Sequence, residues 1–155
     1  MMIGIFVDVS DIYHKVNRRF GTKLNYQKYI SVIGDNIYRA YAYGAQRNKE
    51  ASSFMACLRH CGFSPKFKSP KVIVVGDREI KHCDWGVGIA VDVIHTLDKI
   101  DTVVLGTSNP DFIPLVQWCR DQGKQVIIFA SCIPLSLEEA ANGILEINED
   151  MLESS

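Results

Sequence analysis

Asp101-Thr-Val-Val-Leu-Gly106-Thr-Ser-Asn-Pro-Asp111-Phe-Ile-Pro-Leu115 carries an apolar run into small polar residues and then sets an aspartate at the start of a helical pattern. Thr102–Leu105 reads as a buried strand. Asn109 and Pro110 supply the cap and first residue of a helix reaching about Gln122, with Phe112, Leu115, Val116 and Cys119 inward and Gly123 as its stop. Near the N-terminus, Ile3-Gly-Ile-Phe-Val-Asp8-Val-Ser-Asp11-Ile-Tyr13 repeats the arrangement, a strand over Ile3–Val9 running into carboxylates. In a parallel sheet both sets project from the carboxyl edge, where open α/β folds bind their ligands.

Outward from these two segments, strands alternate with helices. Asn25–Ile33 has apolar or aromatic residues at 26, 29, 30 and 33, a helical spacing, and Asp35–Gly44 alternates as a strand closed by glycine. Glu50–Cys61 predicts a helix with Phe54, Leu58 and Cys61 on one face. Phe63–Lys68 and Val72–Val75 predict short strands, Gly76-Asp77 a turn, and Arg78–Cys83 a basic segment of unassigned form. The helix expected over Gly86–Lys99 turns Val87, Ala90, Val91, Ile94 and Leu97 inward and leaves Asp92 opposite, facing either solvent or a pocket. Gln125–Ala130 is a strand, Ser136 caps a short helix, and Gly143–Ile147 adds a terminal strand. The order predicts a three-layer α/β/α Rossmann-like sandwich around a mostly parallel sheet, one domain over residues 1–150 with a short tail at 151–155.

Composition agrees. With 155 residues, 47% hydrophobic and 23% charged, the chain can bury a core without disulfides or metal. No segment reads as a membrane span or a secretory leader. Five cysteines, an odd number without Cys-x-x-Cys spacing, predict reduced thiols and a cytoplasmic setting. Cys57, His60 and Cys61 could share a helix face with His82-Cys83 nearby, but the cysteines are read as small buried hydrophobes rather than as a zinc site. The net charge of −1 hides an asymmetry: residues 1–82 hold fourteen Lys/Arg against six Asp/Glu, residues 83–155 three against twelve. A basic surface beside an acidic pocket suits a polyanion.

Hard divalent cations take oxygen ligands, so an acidic cluster built from Asp8, Asp11, Asp84, Asp92 and Asp111 would suit one. Each has an alternative reading: Asp11 and Asp84 as helix caps, Asp111 as a first-turn carboxylate, Asp92 as a solvated side chain. Tyr13, His14, Lys15, Arg18, Arg19, Phe20 and Lys23, with Arg47 and Lys49, either grip phosphates and stack on bases or form a solvated face. Tyr26 and Tyr29 read as core or partner contacts. Gly86-Val-Gly88 lacks the third glycine of a dinucleotide fingerprint.

Three blocks together, Phe6-Val-Asp8-x-x-Asp11-Ile-Tyr13, Asp84-Trp-Gly-Val-Gly-Ile-Ala-Val-Asp92 and Gly106-Thr-Ser-Asn-Pro-Asp111-Phe-Ile-Pro-Leu115, resemble the NYN domains of the PIN-like nuclease superfamily, especially the LabA-like branch. The resemblance implies metal-dependent endoribonuclease chemistry with Mg²⁺ or Mn²⁺ at the sheet edge. It matches Asp8, Asp92 and Asp111 to catalytic and metal-ligating positions, with Asp11 and Asp84 as auxiliary carboxylates and Ser108 and Asn109 as auxiliary polar groups. RNA, single-stranded or structured, is the implied partner, held by Lys15, Arg18, Arg19, Arg47 and Lys49; a homo-oligomer stays open. Three positions depart from the pattern: the family usually has Asn at Asp11, Asp at Gly86 and Asp at Asn109. Two functions follow, an RNA-cleaving enzyme or a catalytically depleted module that binds RNA or a protein and regulates. A small-molecule-binding α/β domain is the third.

Overall fold

The computed structural model describes residues 1–46 and 49–154. Its strands are β1 (Ile3–Asp8), β2 (Ile37–Ala45), β3 (Ser64–Lys68), β4 (Lys71–Val75), β5 (Arg78–His82), β6 (Thr102–Gly106), β7 (Gln125–Ala130) and β8 (Gly143–Glu146). The α-helices are α1 (Val9–Phe20), α2 (Tyr26–Ile33), α3 (Glu50–His60), α4 (Gly86–Thr96), α5 (Ile113–Asp121) and α6 (Leu135–Ala140).

Six strands form one sheet in the order β3-β2-β1-β6-β7-β8, every neighbouring pair parallel. Short strands of Val, Ile and Leu, buried end to end in β6, are what a sheet covered on both faces requires. Phe6 and Val7 point to opposite faces, as alternation demands. On the Val7 side lies α2, whose Tyr29 stacks on Phe129 at 3.9 Å and donates its hydroxyl to the Phe129 carbonyl at 2.8 Å. On the Phe6 side lies α4, reaching Tyr43 through Asp92 and Trp85. The expected α/β/α sandwich is the fold. Residues 149–152 return to this body: Met151 is buried, and Leu152 bridges to Leu24.

Several local expectations are corrected. β1 stops at Asp8, and Asp8 rather than Asp11 caps the helix that follows. β2 runs on to Ala45; Gly44 lies inside it because the Phe67 ring occupies the space a Cβ would need, 2.6 Å away at the nearest atom. Arg78–His82 is a strand, paired antiparallel with β4. Helix α6 begins at Leu135 without a side-chain cap, so Ser136 lies inside its first turn. Of the five cysteines only Cys119 is buried, and Cys57 is exposed.

The largest revision is the phase of α4. It buries Ile89 and Val93, whereas Val87, Val91 and Ile94 are exposed; Leu97, just past its end, is buried as expected. Apolar residues surround this helix almost completely, so periodicity alone does not fix its rotation. Polar contacts to Asp92 turn it instead, placing that carboxylate toward the sheet edge.

Candidate functional site

The chain leaves β1 toward β2 on one side, while β6 begins the other half of the sheet, so the gap between them is a topological switch point. Asp8 and Gly106 are the last residues of these two strands. Asp8 caps α1, its Oδ1 accepting from the Asp11 amide at 3.4 Å. From the first turn of α1, Asp11 Oδ2 accepts from the Ser108 amide at 2.8 Å and the Ser108 hydroxyl at 2.9 Å. Lys15, one turn on, donates to Ser108 Oγ at 3.0 Å and stands 3.6 Å from Asp11 Oδ1. One carboxylate thus ties the first turn of α1 to the loop after β6.

A second group runs across three strands. Asp8 is the register partner of Tyr43, and Tyr43 of Lys66, so the three side chains share a row on the α4 face of the sheet. Asp92 reaches down to that row. Its Oδ2 accepts from the Tyr43 hydroxyl at 2.8 Å and from Lys66 Nζ at 2.7 Å. Next along β3 on the same face, Lys68 donates to the Asp84 carbonyl at 2.6 Å and lies 4.2 Å from the centre of the Trp85 ring. Trp85 Nε1 donates to the Gly44 carbonyl at 2.9 Å, which anchors the start of α4 on β2. Asp84 Oδ1 accepts from the Gly86 amide at 2.7 Å.

The electrostatics centre on Asp8. Burial, with the charges of Asp11 and Asp84 nearby, pushes its carboxyl up to about 6, against the lowering pull of backbone N–H groups. Among the described residues the two ion pairs are Lys15–Asp11 and Lys66–Asp92, and neither neutralises Asp8. Burial and the bonded Asp92 carboxylate raise the Tyr43 phenol, which stays a neutral donor.

Whether these groups suit a divalent ion depends on its demands. Among the described residues no three His, Cys, Asp or Glu side chains are grouped to hold one, so a closed carboxylate cage is absent there. Mg²⁺ usually keeps several waters and takes only one or two carboxylates plus substrate phosphate. Asp8, half-buried and facing Asp11 and Asp84 without a cationic partner, fits that lighter requirement.

The remaining candidates are dispersed. Asp111 is exposed on the turn after β6, its amide bonded to Asn109 Oδ1 at 2.9 Å, and Asn109 caps this turn as expected. Arg18 and Arg19 are exposed on α1, and Lys49 is exposed just before α3. Arg47 lies outside the described residues. Tyr26 and Tyr29 are core residues. Sequence reading missed Tyr43, Lys66 and Lys68. A signal was present: Lys66 and Lys68, two apart at the end of a strand, must share a face.

The chain matches the NYN domain over residues 2–148. It is similar to a protein of unknown function from Vibrio parahaemolyticus RIMD 2210633, whose crystal structure superposes with a TM-score of 0.85 at 25% identity, covering 98% of this chain and 96% of that one. A possible 1-phosphofructokinase from Thermotoga maritima aligns over 94% of this chain and 58% of its own, at 16% identity and a TM-score of 0.45. No curated protein matches. With the family matched over nearly its whole length, the chain belongs to the NYN domain family of the PIN-like nuclease superfamily.

Proposed function

We propose that the protein is a metal-dependent endoribonuclease whose centre is Asp8, at the switch point between β1 and β6. NYN domains typically bind RNA, and PIN-like nucleases generally depend on divalent metals. The observation that carries the proposal is Asp8 at the end of β1, half-buried at the switch point with the charges of Asp11 and Asp84 nearby and, among the described residues, no cationic side chain paired with it. Asp8 would hold Mg²⁺ or Mn²⁺, with Asp84 or Asp11 beside it. Asp92 and Asp111 would contribute from the same edge. A bound ion supplies a water acidified enough to attack phosphorus and offsets charge on the scissile phosphate.

The chain's own residues do the rest. Lys66 and Lys68, at the end of β3, and Lys15, on α1, border the carboxylates and would hold the RNA backbone, with Arg18 and Arg19 extending the track along α1. Asp11 holds the Ser108 loop in place, a positioning role. Tyr43 fixes the Asp92 carboxylate as a neutral donor.

One observation favours the regulatory reading: lysines already neutralise Asp11 and Asp92, which leaves fewer carboxylates for an ion. Fluorescent single-stranded RNA incubated with the protein in Mn²⁺, Mg²⁺ or EDTA separates the two. Metal-dependent cutting supports the enzyme. Tight, salt-sensitive binding without cutting, converted to cutting by the paired changes Gly86→Asp and Asn109→Asp, supports the regulator.

A further inference from the structure

Between Lys68 and Asp84 the chain leaves the main sheet as a separate two-stranded hairpin, β4 against β5. Every residue from Lys71 to His82 is exposed, including Val72, Ile73, Val74, Val75 and Ile80. An isolated two-stranded hairpin is marginal in water; a third strand or a covering surface is needed for independent stability. Exposed strand edges with apolar side chains mark pairing sites.

We propose that β5 is the edge on which a second copy of this chain docks, joining two hairpins into a four-stranded antiparallel sheet. The residue pattern selects the partner. Two copies related by a twofold axis normal to the sheet oppose residues of like parity, which leaves three registers inside β5. An axis through Glu79 opposes two glutamates, and one through Lys81 opposes two lysines. An axis through Ile80 opposes Glu79 of each copy to Lys81 of the other, making two complementary cross-strand pairs. In that register Ile80 meets its own copy. Ile73 already pairs with Ile80 within each hairpin, so four isoleucines line up across the assembled sheet. The β4 edge, Lys71-Val-Ile-Val-Val75, selects no register, because each of its twofold pairings is apolar at the centre.

Sedimentation equilibrium tests this with exposed, fold-neutral changes. The wild type should give a mass approaching twice 17.4 kDa with rising concentration. Glu79→Lys opposes four positive charges and Lys81→Glu four negative ones, so each variant alone should run as a monomer. Mixed in equal amounts, the two should regain the doubled mass, because every cross-strand pair is again opposite in sign. A wild type that stays monomeric at all concentrations overturns the proposal, as does a dimer indifferent to both substitutions. RNA binding weakened by Lys81→Glu in a chain that is monomeric throughout would also overturn it and assign the hairpin to nucleic acid.

Discussion

Lys66 Nζ lies 2.7 Å from Asp92 Oδ2, the oxygen that also accepts the Tyr43 hydroxyl. A lysine on an edge strand and a carboxylate on a helix, 26 residues apart, thereby fix the rotation of α4 over the end of the sheet. The pair remains partly open to solvent, with side-chain exposures of 41% and 19%, so its net stabilisation is modest.

Lys66→Met should therefore cost about 1 kcal/mol or less in unfolding free energy. Its effect on RNA should be larger. If Lys66 meets a phosphate, the substitution weakens binding evenly across sequences and lowers the slope of log affinity against log salt by about one. Fluorescence anisotropy over a salt series reads both quantities.

Asp8 predicts an unusual pH dependence for metal-free protein. Its carboxyl is raised from 3.8 to about 6, so between those values the folded chain holds more protons than the unfolded chain. Stability from this group is greatest below pH ~4 and falls as pH rises through about 6, by roughly 3 kcal/mol at most. Asp8→Asn keeps an equivalent helix cap and removes the charge. Denaturant titrations in EDTA should find the variant more stable than wild type above pH ~6, the difference vanishing toward pH ~4.

Mn²⁺ should act on the same carboxyl in the opposite direction. Binding to the folded state stabilises it, so the melting temperature of the wild type at neutral pH should rise with Mn²⁺ and return on chelation. Asp8→Asn should lose most of that response.

Gly106 ends β6 against Val7 and Tyr29. A Cβ there would stand 2.8 Å from the Tyr29 hydroxyl, 2.9 Å from Val7 Cγ2 and 3.1 Å from Val7 Cα. Backbone cannot give way as a flexible side chain can. Gly106→Ala should cost about 1–3 kcal/mol by overpacking and should shift the Asp11–Ser108 bridge, which urea unfolding and RNA cleavage would register together.

Much of this was legible in the residues because it is local. Apolar runs ending in Asp8 and in Gly106-Thr-Ser-Asn-Pro gave β1, β6 and their shared edge, and Asn109 capped the turn its sequence advertises. What was not legible depends on contacts far apart in sequence. The stripe expected inward on α4 includes Val87, Val91 and Ile94, but the helix buries Ile89 and Val93, while Asp92, open to solvent or pocket on spacing alone, meets Tyr43 and Lys66 from other strands. Lys66 and Lys68 were overlooked although Phe63–Lys68 reads as a strand, because the register with β2 that sets them on the Asp92 face is defined only by the sheet. The two ion pairs that make the acidic edge partly self-neutralised are likewise invisible to spacing.

The most direct test of the Asp8-centred site is the single-turnover cleavage rate of labelled single-stranded RNA in Mn²⁺ by wild type and Asp8→Asn side by side. A wild type that cuts, stops on EDTA, and slows by about a hundredfold or more in the variant is the predicted result. Equal rates in the two proteins, or cutting that survives EDTA, would contradict it.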